Sequence, residues 1–290
     1  MPSAPADIVA IGDNISDCYV ELGLMFPGGN AVNVAVAVAR SGRSAAYVGA
    51  VGDDARGHLL RESLQAEGVD VERLVVRPGV TAYTYVSLVD GDRAFTTVER
   101  GVALLHPTPE DLAYASRSLL AHTTYCSGLE EAVPLLGRAT KLSFDFDTHL
   151  ADDYAAQLVP HVWVAEFSAS ALDVAECESL LRWAHSHGPP YVLATRADKG
   201  AMMFDGETIT VVPAQPDDPV DTLGAGDAFI GRALHGLLAG EPPDAIVAAS
   251  TMAAAQACQS LGGFGHGVPI PEEPFEGSAQ AEGSRRPVTP

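Results

Sequence analysis

The sequence predicts an α/β protein with a mostly parallel sheet that is covered by helices on both faces. Short apolar runs alternate with helical patterns along most of the chain. Apolar runs of this length suit buried strands, and strands separated by helices pair in parallel. The chain has 290 residues, 47% of them hydrophobic, which is enough to bury one large core. The apolar runs lie at residues 7–12, 45–50, 122–126, 142–146, 162–165 and 191–195.

Helices are predicted between these runs and after them. The first helical pattern consists of small apolar residues that follow a glycine pair, and the second is amphipathic and stops at Gly68. Two short runs at 202–204 and 208–212, joined by Asp205-Gly206, predict a hairpin at a sheet edge. The helical patterns lie at residues 29–40, 54–67, 171–187, 225–239 and 244–261.

Residues 81–98 interrupt this alternation. They are rich in Thr, Tyr and Val and are divided by the turn sequence Asp90-Gly91-Asp92, which predicts a β-hairpin. A hairpin inside an α/β pattern indicates a small sheet that stands off the main domain, where it can cover a site or form a dimer contact. The alternative is a hairpin that packs directly on the core.

Composition and charge exclude several classes of protein. The formal net charge is −21, and only two of the 17 basic residues are lysines, Lys141 and Lys199. A field of this sign repels nucleic acid and anionic membrane surfaces, so we expect neither as a partner. No apolar run has the roughly 18 residues of a membrane span, and no signal-peptide pattern is present. Four well-separated cysteines indicate reduced thiols, and we therefore expect a cytoplasmic protein.

The sequence Asp221-Thr222-Leu223-Gly224-Ala225-Gly226-Asp227 stands directly before a predicted helix. The two glycines let the backbone approach a ligand, and the N–H groups at the helix start can form an anion hole. In the first turn, Asp227 can accept a proton from a hydroxyl that attacks a phosphoryl group. The alternative is an ordinary glycine-rich helix start with an acidic cap.

A second glycine pair, Gly28-Gly29, precedes Asn30 and Asn33 at the start of the first predicted helix. The two asparagines are three residues apart and share a face, and their amides suit a ligand with several hydroxyls. The alternative is that Asn30 caps the helix and Asn33 is satisfied inside the protein.

Asp13, Asn14 and Asp17 follow the first strand, at the edge of an α/β sheet where ligands bind. These side chains can hold sugar hydroxyls or an amine, although turns favour the same residue types. The sequence contains no GxxxxGK[ST] loop, no protein-kinase motif set and no GxGxxG after Ile11.

Taken in order, these motifs resemble those of the ribokinase-like, PfkB-type carbohydrate kinases from Asp7 to Pro269. The resemblance implies a three-layer α/β/α fold and ATP- and Mg²⁺-dependent phosphorylation of a sugar hydroxyl. Asp227 would be the base, and Gly224, Ala225 and Gly226 would form the anion hole. Asp17, Gly29 and Asn33 would hold substrate hydroxyls. Residues 1–270 would form one domain whose lid, formed by about 14–28 and 79–99, can also mediate a homodimer; we expect 271–290 to be disordered.

The same resemblance places the nucleotide and cations. Thr195 and Gly200 match the family's TxGxxG nucleotide loop, in which Ala197 replaces the first glycine. Thr222, Gly224 and Gly226 would also contact ATP, and Asp221 would bind a monovalent cation such as K⁺. The family's NxxE motif, which organises water around Mg²⁺, is replaced here by Ser168 and Ala171; Glu166 is a candidate to compensate.

Within the family, residues 11–17, 28–36 and the missing NxxE motif resemble the fructoselysine 6-kinases. An amino-acid-bearing sugar carries an ammonium group, for which acidic side chains near the expected pocket are suitable partners. Arg100 instead indicates an anionic substrate group. Two alternatives remain: a nucleoside kinase with Tyr83, Tyr85 and Phe95 stacking on a base, and a non-catalytic sugar-binding or regulatory protein. The candidate acids are Asp13, Asp17, Asp92 and Glu99.

Overall fold

A computed structural model of the chain describes residues 6–89, 92–103, 106–215 and 218–271. Two sequence predictions therefore lie outside the described residues: the turn at Asp90-Gly91 and the disordered tail beyond residue 271. None of the helices in these ranges is long and apolar enough to cross a membrane.

The described residues form fourteen strands, and nine of them belong to the main sheet. The long central part of this sheet is parallel, as predicted. The strands are β1 (Ile8–Ile11), β2 (Ile15–Tyr19), β3 (Leu24–Gly28), β4 (Ala45–Gly52), β5 (Leu74–Arg77), β6 (Tyr83–Val89), β7 (Asp92–Glu99), β8 (Leu120–Thr124), β9 (Lys141–Asp145), β10 (Val164–Ser168), β11 (Tyr191–Thr195), β12 (Ala201–Phe204), β13 (Ile209–Val212) and β14 (Val268–Pro269). The order in the main sheet is β13-β12-β11-β10-β9-β8-β1-β4-β5. Among the described strands of this sheet, β12 alone is reversed: it pairs antiparallel with β11 on one side and with β13 on the other, which confirms the predicted edge hairpin of β12 and β13.

Helices cover both faces of this sheet, which confirms the three-layer α/β/α fold. The helices are α1 (Asn30–Arg40), α2 (Ala55–Ala66), α3 (Pro109–Ala115), α4 (Val133–Ala139), α5 (Asp153–Leu158), α6 (Val174–Ser186), α7 (Ala225–Ala239) and α8 (Pro243–Ala257). One core cluster joins the sheet to α3–α6, and the other joins its opposite face to α1, α2, α7 and α8. Buried residues such as Leu181 on one side and Phe229 on the other fill these layers.

Helix α8 ends four residues before the predicted boundary at Leu261. The carbonyl of Cys258 accepts hydrogen bonds from the N–H groups of Val220 (2.8 Å) and Asp221 (3.2 Å). These two bonds use both lone pairs of the carbonyl oxygen, which is then not available to the next helical turn, and the helix stops there. The same two bonds hold the segment that precedes α7 against the end of α8.

A second sheet of five strands, ordered β14-β3-β2-β6-β7, lies apart from the main sheet. The predicted hairpin is present as β6 and β7, and it joins β2 through parallel pairing of β2 with β6. The alternative of a hairpin packed directly on the main core is therefore wrong. The carboxylate of Asp54 caps α2 by accepting from Gly57 N (2.8 Å), and it also accepts from Thr81 N (2.8 Å). Because Thr81 lies just before β6, this second bond links the small sheet to the main domain. Homodimer formation through the sheet stays a prediction.

Candidate active site

Two cavities meet at the carboxyl edge of the main sheet. The larger has a volume of about 860 Å³ and extends along the start of α7 and the ends of β9–β11. The smaller, about 390 Å³, lies between the start of α1 and the small sheet. Ligand sites in open α/β sheets lie at this edge. Four residues line both cavities: Asn30, Tyr125, Leu223 and Asp227.

The start of α7 is shaped by Gly224. This residue has a left-handed φ of 76°, and a Cβ atom on it would lie 2.6 Å from the carbonyl oxygen of Gly263. The first helical hydrogen bond runs from Ala228 N to Gly224 O at 2.8 Å, and Ala225 N donates to Thr222 O at 3.3 Å. The N–H groups of Gly226 and Asp227 donate to none of the described residues, so this helix start can receive an anion.

Asp227 is 9% exposed and lies in the first turn of α7. Its Oδ2 accepts a hydrogen bond from Nδ2 of Asn33 at 2.8 Å. Burial raises the pKa of Asp227 well above its ordinary value, and the nearby Asp145, Asp13 and Asp17 add to that effect, while the Asn33 bond opposes it. A carboxyl group with a raised pKa in a cavity is a candidate proton acceptor.

Asp13, a predicted substrate ligand, binds the start of α1 instead of facing the cavity with free oxygens. Its carboxylate accepts from the N–H groups of Asn30 (2.8 Å) and Ala31 (3.3 Å) and from the hydroxyls of Thr124 (3.1 Å) and Ser127 (3.0 Å). A carboxylate at this place caps the helix and complements its dipole. Asp13 therefore positions α1, although part of it lines the smaller cavity.

The glycine pair before α1 allows close approach of three segments. Gly29 has a φ of 109°, and a Cβ atom there would lie 2.5 Å from Cα of Asn14. On Gly28 the same atom would lie 2.5 Å from Oδ2 of Asp17. The amide of Asn14 donates to Tyr47 Oη (3.1 Å) and Ala50 O (2.8 Å), so its nitrogen is used within the fold. Asn14, Asp17, Gly29, Asn30 and Asn33 all line the smaller cavity.

Glu99, the remaining predicted substrate ligand, does not line either cavity. It is exposed, and its carboxylate accepts a hydrogen bond from Gly101 N at 3.0 Å. Its neighbours Val98 and Arg100 line the smaller cavity instead. Successive side chains of an extended segment point to opposite sides. Because Val98 and Arg100 point toward the cavity, Glu99 between them points away from it.

Only part of the predicted nucleotide loop lies at the larger cavity. Thr195 and Thr222 line the larger cavity, whereas Gly200 does not. Gly200 has a φ of 88°, and a Cβ atom there would lie 2.0 Å from Val212 O, so this glycine lets the β11–β12 connection pack on β13. Ala197, in the place of the family's first glycine, adopts a φ of 51°. The loop thus keeps a left-handed residue at this position despite the added side chain.

The structure also brings acidic residues together: Asp145 and Asp147 were not singled out in the sequence, and Glu166 was a candidate to compensate for the missing NxxE motif. Asp145 is the last residue of β9, Asp147 follows that strand, Glu166 belongs to β10, and all three line the larger cavity with Asp221 and Asp227. Burial raises the pKa of Asp145 to about 7, and burial followed by the charge of Asp145 raises that of Glu166 well above its ordinary value. Their positions at the carboxyl ends of parallel strands were the available signal.

Asp221, the predicted monovalent cation ligand, is held by three donors. Its carboxylate accepts from the hydroxyl of Tyr19 and from the N–H groups of Leu223 (3.0 Å) and Gly262 (2.9 Å). These bonds join the small sheet, the segment before α7 and the glycine-rich loop after α8. Binding of K⁺ at Asp221 stays a prediction.

The residues of the larger cavity fit Mg²⁺ carried by a nucleotide. Carboxylate oxygens are suitable ligands, and Mg²⁺ is usually held by one or two carboxylates together with water and phosphate oxygens. Among the described residues, no three His, Cys, Asp or Glu side chains cluster as a complete protein-made metal site. The carboxyl groups of Asp145 and Glu166 would face such an ion.

The raised pKa of Asp145 gives a test of these electrostatics. Because its pKa rises from 3.8 to about 7 on folding, its contribution to stability is present in full at low pH and is lost as pH rises through about 7. Buried His122, whose pKa is lowered to about 3, acts in the opposite sense, so wild type must be compared with Asp145→Asn.

At each pH we compare the melting temperature of Asp145→Asn with that of wild type. We expect this difference, variant minus wild type, to be several degrees larger at pH 8 than at pH 5. Thermal unfolding without metal or nucleotide measures this difference. The exposed Asp198→Asn variant is the control and should show no such change with pH. An Asp145→Asn difference that is independent of pH would contradict the assignment.

A buried carboxyl group at a helix start, where a cavity with free backbone N–H groups meets a smaller cavity lined by amides and carboxylates, suits phosphoryl transfer to a hydroxyl. The match to the pfkB family carbohydrate kinase model covers residues 17–269, and the chain belongs to this family. It is an ATP-dependent carbohydrate kinase. The alternative of a non-catalytic sugar-binding protein is not favoured.

Its sequence is similar to that of two groups of bacterial kinases. It is 35% identical over 268 residues to the fructosamine kinase FrlD of Bacillus subtilis, covering 90% of this chain and 94% of the relative. It is also 35% identical over 262 residues to fructoselysine 6-kinase of Escherichia coli, covering 89% and 99%. Fructokinase of Salmonella typhimurium is 30% identical over 290 residues, covering 88% and 92%.

Solved structures confirm the ribokinase-like fold. Arabidopsis thaliana ribokinase, complexed with ribose and ATP, superposes with a TM-score of 0.77 at 18% identity, covering 90% of this chain and 95% of that one. A putative ribokinase II from E. coli, in complex with ATP and Mg²⁺, gives 0.74 at 18% identity, with coverage of 89% and 94%. At these identities the likeness concerns the fold alone.

The nucleoside kinase alternative is not favoured either. In that alternative, Tyr83 and Tyr85 would stack on a base, but they contact each other edge to face at 5.5 Å between ring centroids. The guanidinium of Arg56 lies over the Tyr83 ring at 4.3 Å. Neither tyrosine lines the smaller cavity, and the Phe95 side chain lies outside the described residues.

Proposed function

We propose that this kinase transfers the γ-phosphoryl group of ATP, bound as its Mg²⁺ complex, to the primary hydroxyl of a fructosamine that carries an amino acid. The observation that supports this proposal most is the position of Asp227, which lines both cavities at their junction. The nucleotide would occupy the larger cavity and the sugar the smaller. The two relatives with 35% identity, which are named for fructosamine and fructoselysine, support the substrate class.

Asp227 acts as the general base in this proposal. Its carboxylate accepts the proton of the substrate hydroxyl as that oxygen bonds to the γ-phosphorus, and the bond from the γ-phosphorus to the bridging oxygen breaks to release ADP. Asn33 donates to one carboxylate oxygen and leaves the other available for the hydroxyl. Because the pKa of Asp227 is raised, the rate should increase with pH until this group is ionised.

The start of α7 would stabilise the negative charge on the phosphoryl group during its transfer. The N–H groups of Gly226 and Asp227 are free to donate, and that of Ala225 makes only a long bond. N–H groups at a helix start, aimed at developing charge, stabilise a phosphoryl-transfer transition state. A bound Mg²⁺ ion would neutralise phosphate charge, with Asp145 and Glu166 facing it.

The smaller cavity has charges of both signs, which suits an amino-acid-bearing sugar. Asp17 and Asp227 lie on its main-domain side, and Arg100 belongs to the segment that follows β7. The Arg100 guanidinium makes no ion pair with any described residue. A fructosamine presents hydroxyls and an ammonium group to the acids and a carboxylate to the arginine.

A substrate panel tests the proposal. ATP consumption is measured with Mg²⁺, with and without K⁺, on fructoselysine, other fructosamines, fructose, ribose, 2-keto-3-deoxygluconate and adenosine. We expect the highest kcat/KM with a fructosamine. A higher kcat/KM with fructose or ribose would overturn the substrate class while leaving the kinase assignment intact. Equal rates with and without K⁺ would contradict the cation site at Asp221.

A further inference from the structure

The wall of the larger cavity carries only negative formal charge. Five carboxyl groups line it, and none of its described lining residues is Lys, Arg or His. A polyphosphate close to several carboxylates is strongly repelled in a partly buried site. If a nucleotide binds here, it must therefore arrive with a cation, and the wall must offer that cation a carboxylate.

Four of these five carboxyl groups make hydrogen bonds with described residues and have no fully buried oxygen without a partner. Asp227 is bound by Asn33, Asp145 accepts from Asp147 N at 2.8 Å, and Asp221 has the three donors described above. Oδ2 of Asp147 accepts from Thr148 Oγ1 at 3.3 Å. Each of these groups has a structural use for at least one oxygen that competes with a ligand.

Glu166 differs from them in its second carboxyl oxygen. It is 2% exposed, and its Oε1 accepts from the hydroxyl of Ser143 at 2.8 Å, whereas its Oε2 has no partner among the described residues. A buried carboxyl oxygen without a partner is costly, so an unexplained one indicates a missing ligand. Glu166 lines the same cavity that the nucleotide would occupy.

The orientation of the Glu166 side chain is fixed by residues on β9, the adjacent strand, and on β8, the strand beyond it. Nδ1 of His122 lies 2.7 Å from Oγ of Ser143, and these residues pair in register on β8 and β9. Because the Ser143 hydroxyl donates to Glu166, it must accept from His122, whose ring therefore carries its proton on Nδ1. This buried chain of His122, Ser143 and Glu166 crosses three parallel strands and ends at the cavity.

We propose that Glu166 is the carboxylate that this chain directs toward the divalent cation of the bound nucleotide, with Ser143 and His122 as positioning residues. The inference rests on the proposed nucleotide site. The chain has no carboxylate at Ser168 or Ala171, on the C-terminal side of Glu166. Second-sphere partners that orient a metal-directed carboxylate are a general feature of metal sites.

The test measures Mn²⁺ binding by the full chain in the presence of a non-hydrolysable ATP analogue. The electron paramagnetic resonance signal of free Mn²⁺ reports how much of the ion is bound. We expect Glu166→Gln to weaken Mn²⁺ binding by about ten- to a hundredfold. Asp147→Asn is the matched control, because it removes the same charge from the same wall, and it should weaken binding much less. Equal effects of the two variants, or an unchanged affinity in Glu166→Gln, overturn the proposal.

Binding of the analogue without metal separates a metal-directed role from a structural one. Removing a negative group from the wall should leave metal-free binding unchanged or tighter in Glu166→Gln, since repulsion decreases. General damage to the cavity would weaken binding with and without metal alike, and that result counts against the proposal.

Ser143→Ala provides an independent variant that keeps the carboxylate and removes its donor. It should weaken Mn²⁺ binding in the ternary complex and leave metal-free analogue binding unaltered. If thermal unfolding shows that Glu166→Gln does not fold, Ser143→Ala decides, and an unchanged Mn²⁺ affinity then rejects the assignment. Wild-type protein that fails to bind the analogue at all would instead reject the nucleotide site and, with it, this inference.

Discussion

Replacing Asp227 with Asn is expected to lower kcat by at least about 100-fold, because the variant keeps the shape of the side chain and loses the base. The amide oxygen can still accept from Nδ2 of Asn33, so the local geometry should be preserved. Steady-state kinetics on the best substrate of the panel measure the effect, which should appear in kcat with little change in KM.

Thermal unfolding of the same variant distinguishes loss of chemistry from loss of fold. The Asp227 carboxyl group is buried among other acids, and its raised pKa shows that its charged form is disfavoured there. A neutral amide should therefore leave the melting temperature unchanged or higher. The matched control is Asp244→Asn, which alters an exposed first-turn carboxylate in the next helix, α8; its kcat should equal that of wild type. Near-normal activity in Asp227→Asn would contradict the assignment of Asp227 as the general base.

Patterns with one clear physical cause were predictable from the sequence. The apolar runs gave the parallel strands, since strands buried on both faces have little choice of residue type. Helix α7 was predicted with its observed bounds because glycines flank it: Gly224 begins it and Gly240, with a φ of 71°, ends it. Helix α8 was predicted too long because the bonds that end it come from Val220 and Asp221, which are distant in sequence.

The candidate site was predictable where a residue lies inside a motif and uncertain where contacts between segments decide its role. Asp227 and Asn33 are 194 residues apart, and both were predicted to belong to the site because each lies near the start of a helix that follows a glycine-rich segment. The part of Asp13 in positioning α1 was not predicted, because its hydrogen bonds to Thr124 and Ser127 cannot be inferred from composition. For the same reason, the chain behind Glu166 required the register of β8, β9 and β10.

Two glycines of the α7 start offer a matched pair of substitutions with opposite effects on stability. Gly224→Ala places a side chain on a residue with a φ of 76° and brings its Cβ to 2.6 Å from Gly263 O. Strain of this kind costs about 1–3 kcal/mol before the contact with Gly263 is counted. In Gly226→Ala, the new Cβ meets no protein atom within 4 Å, and alanine is favoured over glycine in a helix by roughly 0.5–1 kcal/mol.

We therefore expect denaturant unfolding to show that Gly224→Ala is less stable than wild type and that Gly226→Ala is as stable or more so. Both variants should nevertheless lose most of their activity: Gly224→Ala because the N–H groups of the helix start move, and Gly226→Ala because its methyl group enters the larger cavity. A Gly226→Ala enzyme with wild-type kcat and nucleotide KM would place the phosphoryl group elsewhere. Stability and activity must fall together if glycine only maintains the fold, so a stable and inactive Gly226→Ala variant would show that this glycine leaves room for the ligand.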